Sequence, residues 1–173
     1  MISIPKIIRN AKESLTEEAK RQVEELGYSR ATVRSIAKAC GVSLGTVYNY
    51  FPSKDDLIAA FVLEDWLSCL DDMREKLKSA SSPRDALFCV YGGIKEFISG
   101  HDYLFTDSDA YTAYSSAKGE KHIMLRRQIS LLIASPLGMK DGFVSDFVSE
   151  SILTWVREDV PFDTFYSVLN KII

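Results

Sequence analysis

The chain has 173 residues, of which 46% are hydrophobic and 26% are charged, and this composition is ordinary for a soluble globular protein. Its apolar stretches are far shorter than the roughly 20 residues of a membrane-spanning helix, and its first residues lack the apolar core of a secretory signal. We therefore expect neither a membrane protein nor a secreted one. The three cysteines are widely spaced without a CxxC pair, so we expect reduced thiols in a cytosol.

The charge is distributed unevenly along the chain. The formal net charge is −3, yet residues 1–60 contain 9 Lys and Arg against 7 Asp and Glu. No acid occurs from Leu26 through Lys54, although this segment holds four basic side chains. A segment that keeps cations and excludes carboxylates is typical of a surface that meets a polyanion. Chance asymmetry is the alternative at this point.

The N-terminal third predicts short helices separated by turns. An apolar stripe at helical spacing runs from Ile8 to Leu26 and ends at Gly27, which is a typical residue after the end of a helix. Thr32 and Ser43 precede two further short apolar patterns, and their hydroxyls suit the first position of a helix. We find no convincing alternating pattern of a strand.

A longer helix is predicted to begin at Ser53, which forms a Ser-x-x-Asp capping box with Asp56. Gly92 and Gly93 lie together inside a later helix and indicate a kink or a close approach of a neighbour. The predicted class is all-α, with a three-helix helix-turn-helix domain at 1–52 and a larger helical domain at 53–173. The later helices are expected at about 83–100, 102–117, 120–134, 140–158 and 161–172.

The segment from Thr32 to Phe51 predicts a helix, a tight turn and a second helix. Gly41 fits the left-handed conformation of such a turn, and Val47 and Phe51 lie four residues apart on one inward face. A second helix placed in this way is the recognition helix of a helix-turn-helix, whose N-terminal half enters the major groove of DNA. The alternative is a helical hairpin whose tyrosines are half-buried packing residues.

Side chains on the outward face of this second helix are the candidate DNA contacts. Ser43 and Thr46 can hydrogen-bond base edges or phosphates, and Leu44 can contact a thymine methyl group. Gly45 allows the backbone to approach DNA closely, whereas the tyrosines and the lysine that follow suit phosphates. The predicted DNA-contacting residues are Thr32, Ser43, Leu44, Gly45, Thr46, Tyr48, Asn49, Tyr50 and Lys54.

The sequence GYSRATVRSIAKACGVSLGTVYNYFPSKDDL at residues 27–57 resembles the signature of the TetR family of transcriptional regulators. The family typically shows Gly-Tyr, Ile-Ala and Gly-Val-Ser-x-Gly-Thr-hydrophobic-Tyr-x-x-Phe at this spacing, followed by Ser-Lys. Two positions depart from it: Ser35 stands where the family usually has an acid, and Tyr50 where it often has histidine. Outside this segment the resemblance extends only to the number of helices and the chain length.

This resemblance implies a homodimer in which the last two helices pair with those of a second copy. The helices in question would be those at about 140–158 and 161–172, which carry many large apolar residues. A monomer whose core absorbs these residues is the alternative. The predicted dimer interface consists of Phe143, Phe147, Ile152, Trp155, Phe162, Phe165 and Leu169.

The resemblance also implies a ligand pocket in the middle of the chain, between about residues 80 and 137. Aromatic residues in a helical body belong to ordinary packing more often than to a pocket, so both interpretations stay open. The candidate ligand-binding residues are Phe88, Tyr91, Phe97, Tyr103, Tyr111 and Met124.

The function expected from these features is sequence-specific regulation of transcription in the cytoplasm, by a homodimer on a palindromic DNA operator. We expect a repressor that a small-molecule effector releases, and the alternative is a constitutive DNA-binding regulator. A helical enzyme or adaptor is a third possibility, but the chain has no phosphate loop, nucleophile elbow or metal-ligand cluster in its sequence. No catalytic residue, cofactor, metal or membrane partner is expected.

Overall fold

In the computed structural model, residues 11–106 and 118–171 are described, and their regular structure is entirely helical, which confirms the all-α class. The helices are α1 (Ala11–Leu26), α2 (Val33–Ala39), α3 (Leu44–Tyr50), α4 (Lys54–Leu77), α5 (Pro83–Gly100), α6 (Asp102–Thr106), α7 (Lys118–Ala134), α8 (Gly142–Arg157) and α9 (Phe162–Leu169). None of these helices is long and apolar enough to cross a membrane.

The described chain separates into two compact units. The first, which we call the head, contains residues 11–64 and 103–106, and the second, which we call the body, contains residues 65–102 and 118–171. Helix α4 continues through the boundary after residue 64, so each unit contains a part of it.

An apolar core shared by α1, α2, α3 and the first turns of α4 holds the head together. Helix α1 is followed by Gly27, whose φ of +85° lies in the left-handed region that glycine adopts without strain. Val47 and Phe51 are buried as predicted. Leu57 and Phe61 of α4 belong to the same core, so this compact unit extends beyond residue 52. The functional division at residue 52 stays a prediction.

The body has a second core, to which α4, α5, α7, α8 and α9 contribute. Each helix buries one stripe and leaves the opposite face outside, which is the pattern of amphipathic helices in a globular domain. The buried members are Trp66, Leu70, Met73, Leu87, Val90, Tyr91, Ile94, Ile129, Ile133, Val148, Ile152, Val156, Phe165 and Leu169.

The two adjacent glycines of α5 have different surroundings. A methyl group at Gly93 would lie 2.6 Å from Cγ of Met73, so α4 and α5 approach each other there more closely than an alanine would allow. A methyl group at Gly92 would meet nothing within 4 Å. The predicted close approach is therefore confirmed, and it depends on Gly93 alone.

Several polar groups inside the body are hydrogen-bonded, whereas Nε of Arg126 is buried without a hydrogen-bond partner among the described residues. His101 has Nδ1 2.8 Å from the carbonyl oxygen of Phe97 and Nε2 2.9 Å from Oδ2 of Asp65. The indole N–H of Trp66 donates to Oε1 of Gln128 at 2.7 Å. The bonds to Asp65 and Gln128 join residues far apart in sequence, and all three remove the free-energy penalty that these buried polar groups would impose if they were unpaired.

Candidate DNA-binding interface

The turn between α2 and α3 has the predicted left-handed geometry. Helix α2 is capped at Cys40, and Gly41 follows with a φ of +66°. The amide of Val42 donates to the carbonyl of Ala37 at 3.0 Å, and the amide of Gly41 donates to the carbonyl of Lys38 at 3.2 Å. The last carbonyls of α2 are thereby satisfied, and the chain reverses sharply enough for α3 to pack on α2 as the second helix of a helix-turn-helix.

Thr32 fixes the beginning of α2 through a capping box with Ser35. The amide of Ser35 donates to Oγ1 of Thr32 at 3.1 Å, and the amide of Thr32 donates to Oγ of Ser35 at 3.2 Å. The Ser35 hydroxyl also donates to Oε1 of Gln22 on α1 at 2.6 Å. Ser35 thus performs the reciprocal capping that an acid at this position would supply, so its departure from the family pattern leaves the helix start intact.

Ser43 and Thr46 form a pair at the beginning of α3. Ser43 is the first-position cap, and its Oγ accepts from the amide of Thr46 at 3.1 Å. The two hydroxyl oxygens are 2.8 Å apart, so one hydroxyl donates to the other. Because two hydroxyls have two protons and one lies between them, the other proton can point to an external acceptor. The pair therefore combines a structural cap with a hydrogen-bonding group at the surface.

The rest of α3 presents an exposed face that is held in place by a buried one. Val47 is fully buried, whereas Tyr48 and Tyr50 are 48% and 47% exposed. Leu44, Gly45 and Asn49 are exposed as well. A methyl group at Gly45 would touch only Oγ of Ser43, at 3.8 Å, so the surface at this glycine is open. The predicted contact residues of α3 thus lie on one accessible helix, as a groove-reading helix requires.

Lys54, at the start of α4, is tied to the loop between α1 and α2. Its ammonium donates to the carbonyl of Tyr28 and lies 3.8 Å from the centre of the Tyr28 ring. The Tyr28 hydroxyl donates to Oδ1 of Asp55. Two segments separated by 26 residues in sequence are joined in this way.

The acids that flank α2 and α3 in sequence are engaged within the head. Arg21 forms ion pairs of 2.6 Å with Glu18 and Glu25, and the hydrogen bond from Arg21 lowers the pKa of Glu18. Asp56 accepts a hydrogen bond from the Ser53 hydroxyl at 2.7 Å. Helices α2 and α3 contain no acid in their first turns or elsewhere. This surface is therefore compatible with phosphate over the whole helix-turn-helix.

Two features of the head were not predicted from the sequence. One is the hydroxyl pair of Ser43 and Thr46, and the other is the contact of Tyr28 with Lys54. The Gly-Tyr pair that precedes α2 indicates that Tyr28 has a structural role. Its contact with Lys54 is defined only by the packing of α1, α2 and α4.

The candidate ligand-binding residues are not gathered at one place. Tyr91 is buried, and its hydroxyl donates to the carbonyl of Val160. Phe97 packs edge to face on Trp66, whereas Tyr103 packs against the core of the head. The remaining candidates are Phe88 and Met124, which are 58% and 40% exposed, and Tyr111, which lies outside the described residues.

An open groove of about 600 Å³ runs along α5. It is lined by Lys76 of α4 and by residues of α5 that include Phe88, Cys89 and Gly92. Burial raises the pKa of the Cys89 thiol, so this group is neutral near pH 7. Of the predicted ligand residues that the structure describes, only Phe88 lines the groove.

The candidate dimer residues divide by burial. Phe143 and Phe147 are exposed, at 76% and 43%, and Trp155 and Phe162 are partly buried against the body core. The other three, Ile152, Phe165 and Leu169, are at most 3% exposed within the single chain. The expectation that those three face a second copy needs correction, because they already lie inside the core that α4, α5, α7, α8 and α9 form within the single chain.

Comparisons with known proteins agree with this geometry. A family profile described as "Bacterial regulatory proteins, tetR family" matches residues 15–61. The fatty acid metabolism regulator protein of Bacillus subtilis (strain 168) is 22% identical over 163 residues, which cover 82% of this chain and 81% of the relative.

Solved structures share the fold over nearly the whole chain. A TetR-family transcriptional regulator from Streptomyces coelicolor has a TM-score of 0.67 at 15% identity and covers 94% of this chain and 99% of that one. The regulator FadR from Bacillus subtilis, solved in complex with stearoyl-CoA, has a TM-score of 0.50 at 21% identity and covers 91% of this chain and 95% of that one.

The family profile covers the helices whose turn, caps and exposed face are described above, and the similarity of fold continues through the body. The relatives are regulators of transcription, which are not enzymes, and this agrees with the expectation that the chain is not an enzyme. Residues 15–61 are therefore a domain of the TetR family of bacterial regulatory proteins, and the chain as a whole shares the fold of TetR-family transcriptional regulators.

Proposed function

We propose that this protein is a repressor that binds a palindromic operator as a homodimer and leaves it when the body binds a small molecule. The observation that carries the proposal is the head. An accessible, acid-free helix α3 is fixed on a buried scaffold by Val47 and Phe51, with a lysine at the start of the next helix.

The N-terminal half of α3 is the part that reads base edges. Thr46 and Ser43 offer the outward hydroxyl proton of their pair, and Leu44 offers a methyl-bearing side chain that suits thymine. Gly45 adds no side chain between the backbone and the floor of the groove.

Phosphates are held by the side chains around this reading helix. Tyr48 and Tyr50 extend into solvent from α3, and Lys54 brings its charge to the start of α4, where backbone amides also favour anions. Thr32 caps the start of α2, and Asn49 belongs to the exposed face of α3. These contacts set the orientation of the head on DNA without distinguishing one sequence from another.

The dimer forms through the outer faces of α7 and α8. These helices are neighbours, since Oγ of Ser130 lies 2.8 Å from Oγ of Ser145 and Arg126 lies 3.7 Å from Asp146. Monomeric proteins rarely expose several large apolar side chains next to one another, and a surface that does so is typically an interaction site. The exposed apolar residues of this surface are Ile123, Met124, Leu131, Phe143 and Phe147.

A symmetric dimer of such heads reads two half-sites about 34–36 Å apart, or a multiple of that distance, because successive major grooves on one face of DNA have this spacing. The operator is then palindromic, as the two heads are identical. Contact with chromosomal DNA also requires the protein to work in the cytoplasm of the bacterial cell.

The effector is a small, partly apolar molecule bound by the body. Two observations support this: the groove along α5 is about 600 Å³ in volume, and the relative FadR was solved with stearoyl-CoA. A long-chain acyl-CoA is accordingly the first compound to test. It releases DNA only if it binds the DNA-free form of the dimer more tightly than the DNA-bound form. Helix α4, which belongs to both units, transmits the change.

One experiment tests the DNA-binding part of the proposal. The purified protein selects an operator from a library of random DNA duplexes, and footprinting defines the protected bases. Thr46→Ala should weaken binding to the selected duplex by about 1–3 kcal/mol and to a scrambled duplex very little, as the loss of a base contact does. Equal binding of both duplexes by every head variant would show that α3 does not read DNA.

A second experiment tests release. Stearoyl-CoA is titrated into the complex with the selected operator, and the fraction of bound DNA is measured. A concentration-dependent loss of the complex supports the effector proposal. Unchanged binding with acyl-CoA and with free fatty acid would favour the alternative of a constitutive regulator, while leaving the DNA-binding role of the head intact.

A further inference from the structure

We propose that Arg126 of each protomer binds Asp146 of the partner subunit, so that these two residues make the chain select a second copy of itself. The inference rests on the proposed dimer through the outer faces of α7 and α8. It goes further than that proposal, because it names the charged residues that determine which chain the surface accepts.

The ion pair of Arg126 and Asp146 is loose within the single chain. Nη2 of Arg126 lies 3.7 Å from Oδ2 of Asp146, which is beyond hydrogen-bond distance. By contrast, Arg21 and Arg84 each approach a carboxylate oxygen to 2.6 Å. Charge alone therefore joins Arg126 to Asp146, and both groups keep the capacity to bind a further partner.

Part of the Arg126 guanidinium is unsatisfied in the single chain. Its Nε is buried and has no hydrogen-bond partner among the described residues, although the side chain as a whole is 36% exposed. A buried donor without an acceptor imposes a free-energy penalty. Because a guanidinium has five N–H donors in a planar fork, Arg126 can bind a partner's carboxylate while it stays close to its own Asp146.

Exposed apolar side chains lie beside both charged residues. Ile123 precedes Arg126 by three residues on α7, and Phe143 precedes Asp146 by three residues on α8. Residues at this spacing are neighbours on a helix surface, and these two apolar residues are 57% and 76% exposed. A partner that covers them also removes water from the ion pair. Charges interact more strongly there than in water, and a charge without a counterpart becomes unfavourable.

A second copy of the chain is the occupant whose charge fits this surface. In a dimer with a two-fold axis, each copy presents the same surface, so that residue i contacts j and j contacts i. Arg126 of each copy then meets Asp146 of the other, and the four groups are neutral together. A partner of one sign of charge, such as an acidic protein, would leave one of the two residues beside a like charge.

Charge reversal tests whether the two residues contribute to the dimer. Arg126→Glu leaves acids alone at this place, and Asp146→Arg leaves bases alone. Each should weaken its own homodimer at least about 30-fold in sedimentation, as unpaired charges in an interface do. The double variant Arg126→Glu/Asp146→Arg should dimerise nearly as tightly as the wild type. Arg126→Gln and Asp146→Asn repeat the test without repulsion if a reversed protomer does not fold, and they should weaken the dimer by a smaller factor.

Mixing the two single variants shows whether the contact lies between protomers. A contact within one chain is broken in both variants, whichever chain they pair with. A contact between protomers is restored when an Arg126→Glu protomer meets an Asp146→Arg protomer. Native mass spectrometry of the mixture should therefore show heterodimers well in excess of random pairing. Random pairing would overturn the inference, and so would single variants that dimerise as tightly as the wild type.

Arg127→Glu is the matched control for overall charge. It makes the same change of charge at the next residue of α7, which is exposed. Mixed with Asp146→Arg, it should show no preference for heterodimers. A preference equal to that of Arg126→Glu would overturn the assignment to Arg126, because it would show that overall charge alone guides pairing.

Phe147→Glu separates this inference from the proposed interface, because Phe147 is exposed on α8 and carries no charge. It should be monomeric if the dimer uses α7 and α8. A dimer as tight as that of the wild type, or a monomeric wild-type protein, would overturn both the proposed interface and the inference. A monomeric Phe147→Glu together with charge variants that dimerise normally would overturn the inference alone.

Discussion

The spacing of apolar residues predicts which side chains are buried better in the head than in the body. In the head, α3 has seven residues, and the burial of Val47 leaves the predicted contacts Leu44, Tyr48 and Tyr50 outside. In the body, α8 carries apolar residues on more than one face: Val148 and Ile152 are buried in the core, whereas Phe143 and Phe147 are exposed. When a helix has one apolar face, the spacing of its apolar residues predicts which of them are buried. When a helix has two apolar faces, the spacing does not predict which face is covered.

The largest difference between a buried and an exposed apolar residue of the body is expected at Phe165, as a loss of the free energy of unfolding. It is 1% exposed in the body core, so Phe165→Glu should lose at least the ~3–5 kcal/mol typical of removing a buried phenylalanine, with a further penalty for burying a charge. Phe143→Glu is the matched control at 76% exposure and should leave the protomer folded. Thermal unfolding and sedimentation measure both. A folded monomer of Phe165→Glu would mean that this residue faces a partner after all.

The adjacent glycines of α5 provide a comparison within one helix. Gly93→Ala places a methyl group 2.6 Å from the buried Met73 and should lower the free energy of unfolding by about 1–3 kcal/mol, as overpacking does. Gly92→Ala points into open space and should raise it by up to about 1 kcal/mol, because alanine favours a helix. Chemical denaturation gives both values. Equal effects of the two substitutions would show that the helices do not cross at Gly93.

The two hydroxyls at the beginning of α3 should separate stability from recognition. Ser43→Ala removes the cap and should destabilise the head by about 1 kcal/mol. Thr46→Ala keeps the cap and should change stability less while reducing binding to the operator. Denaturation and DNA binding are measured on the same samples. If Ser43→Ala unfolds at the wild-type midpoint, the cap does not contribute to stability.

The smallest expected effect concerns the exposed ion pair of Lys95 and Asp159, which are 2.6 Å apart. The hydrogen bond from Lys95 lowers the pKa of Asp159 below that of an unfolded aspartate. The pair therefore stabilises the fold above about pH 4, and this contribution is lost as the pH falls through the lowered pKa. Asp159→Asn tolerates the same left-handed backbone and should unfold at a slightly lower temperature at pH 7.

Lowering the pH separates the effect of the lost charge from any other effect of the Asp159→Asn substitution. The difference between wild type and Asp159→Asn should shrink as the pH falls through the lowered pKa of Asp159 and disappear once this carboxyl is protonated in the folded protein. It should also shrink in high salt, because the groups are exposed. A difference that persists unchanged at low pH would assign the effect of the substitution to the backbone rather than to the charge.

Much of the head was determined by local sequence. The hydroxyls of Thr32 and Ser43, the glycine at position 41 and the four-residue spacing of Val47 and Phe51 are short-range signals. They specify caps, a left-handed turn and a buried face by interactions within a few residues. The all-α class followed from the same signals repeated along the chain, as did the approximate limits of the helices expected at 83–100, 120–134, 140–158 and 161–172. The end of the helix expected at 102–117 lies outside the described residues.

Tertiary structure decided which of several equivalent residues became core, groove or surface. Ile152 and Phe147 are both apolar residues of α8, yet only the first is enclosed by other helices. Tyr28 and Lys54 meet because the loop after α1 and the start of α4 are brought together across 26 residues. Burial and long-range contacts depend on the approach of distant segments, and the period of a single helix contains no information about which neighbour will cover which face.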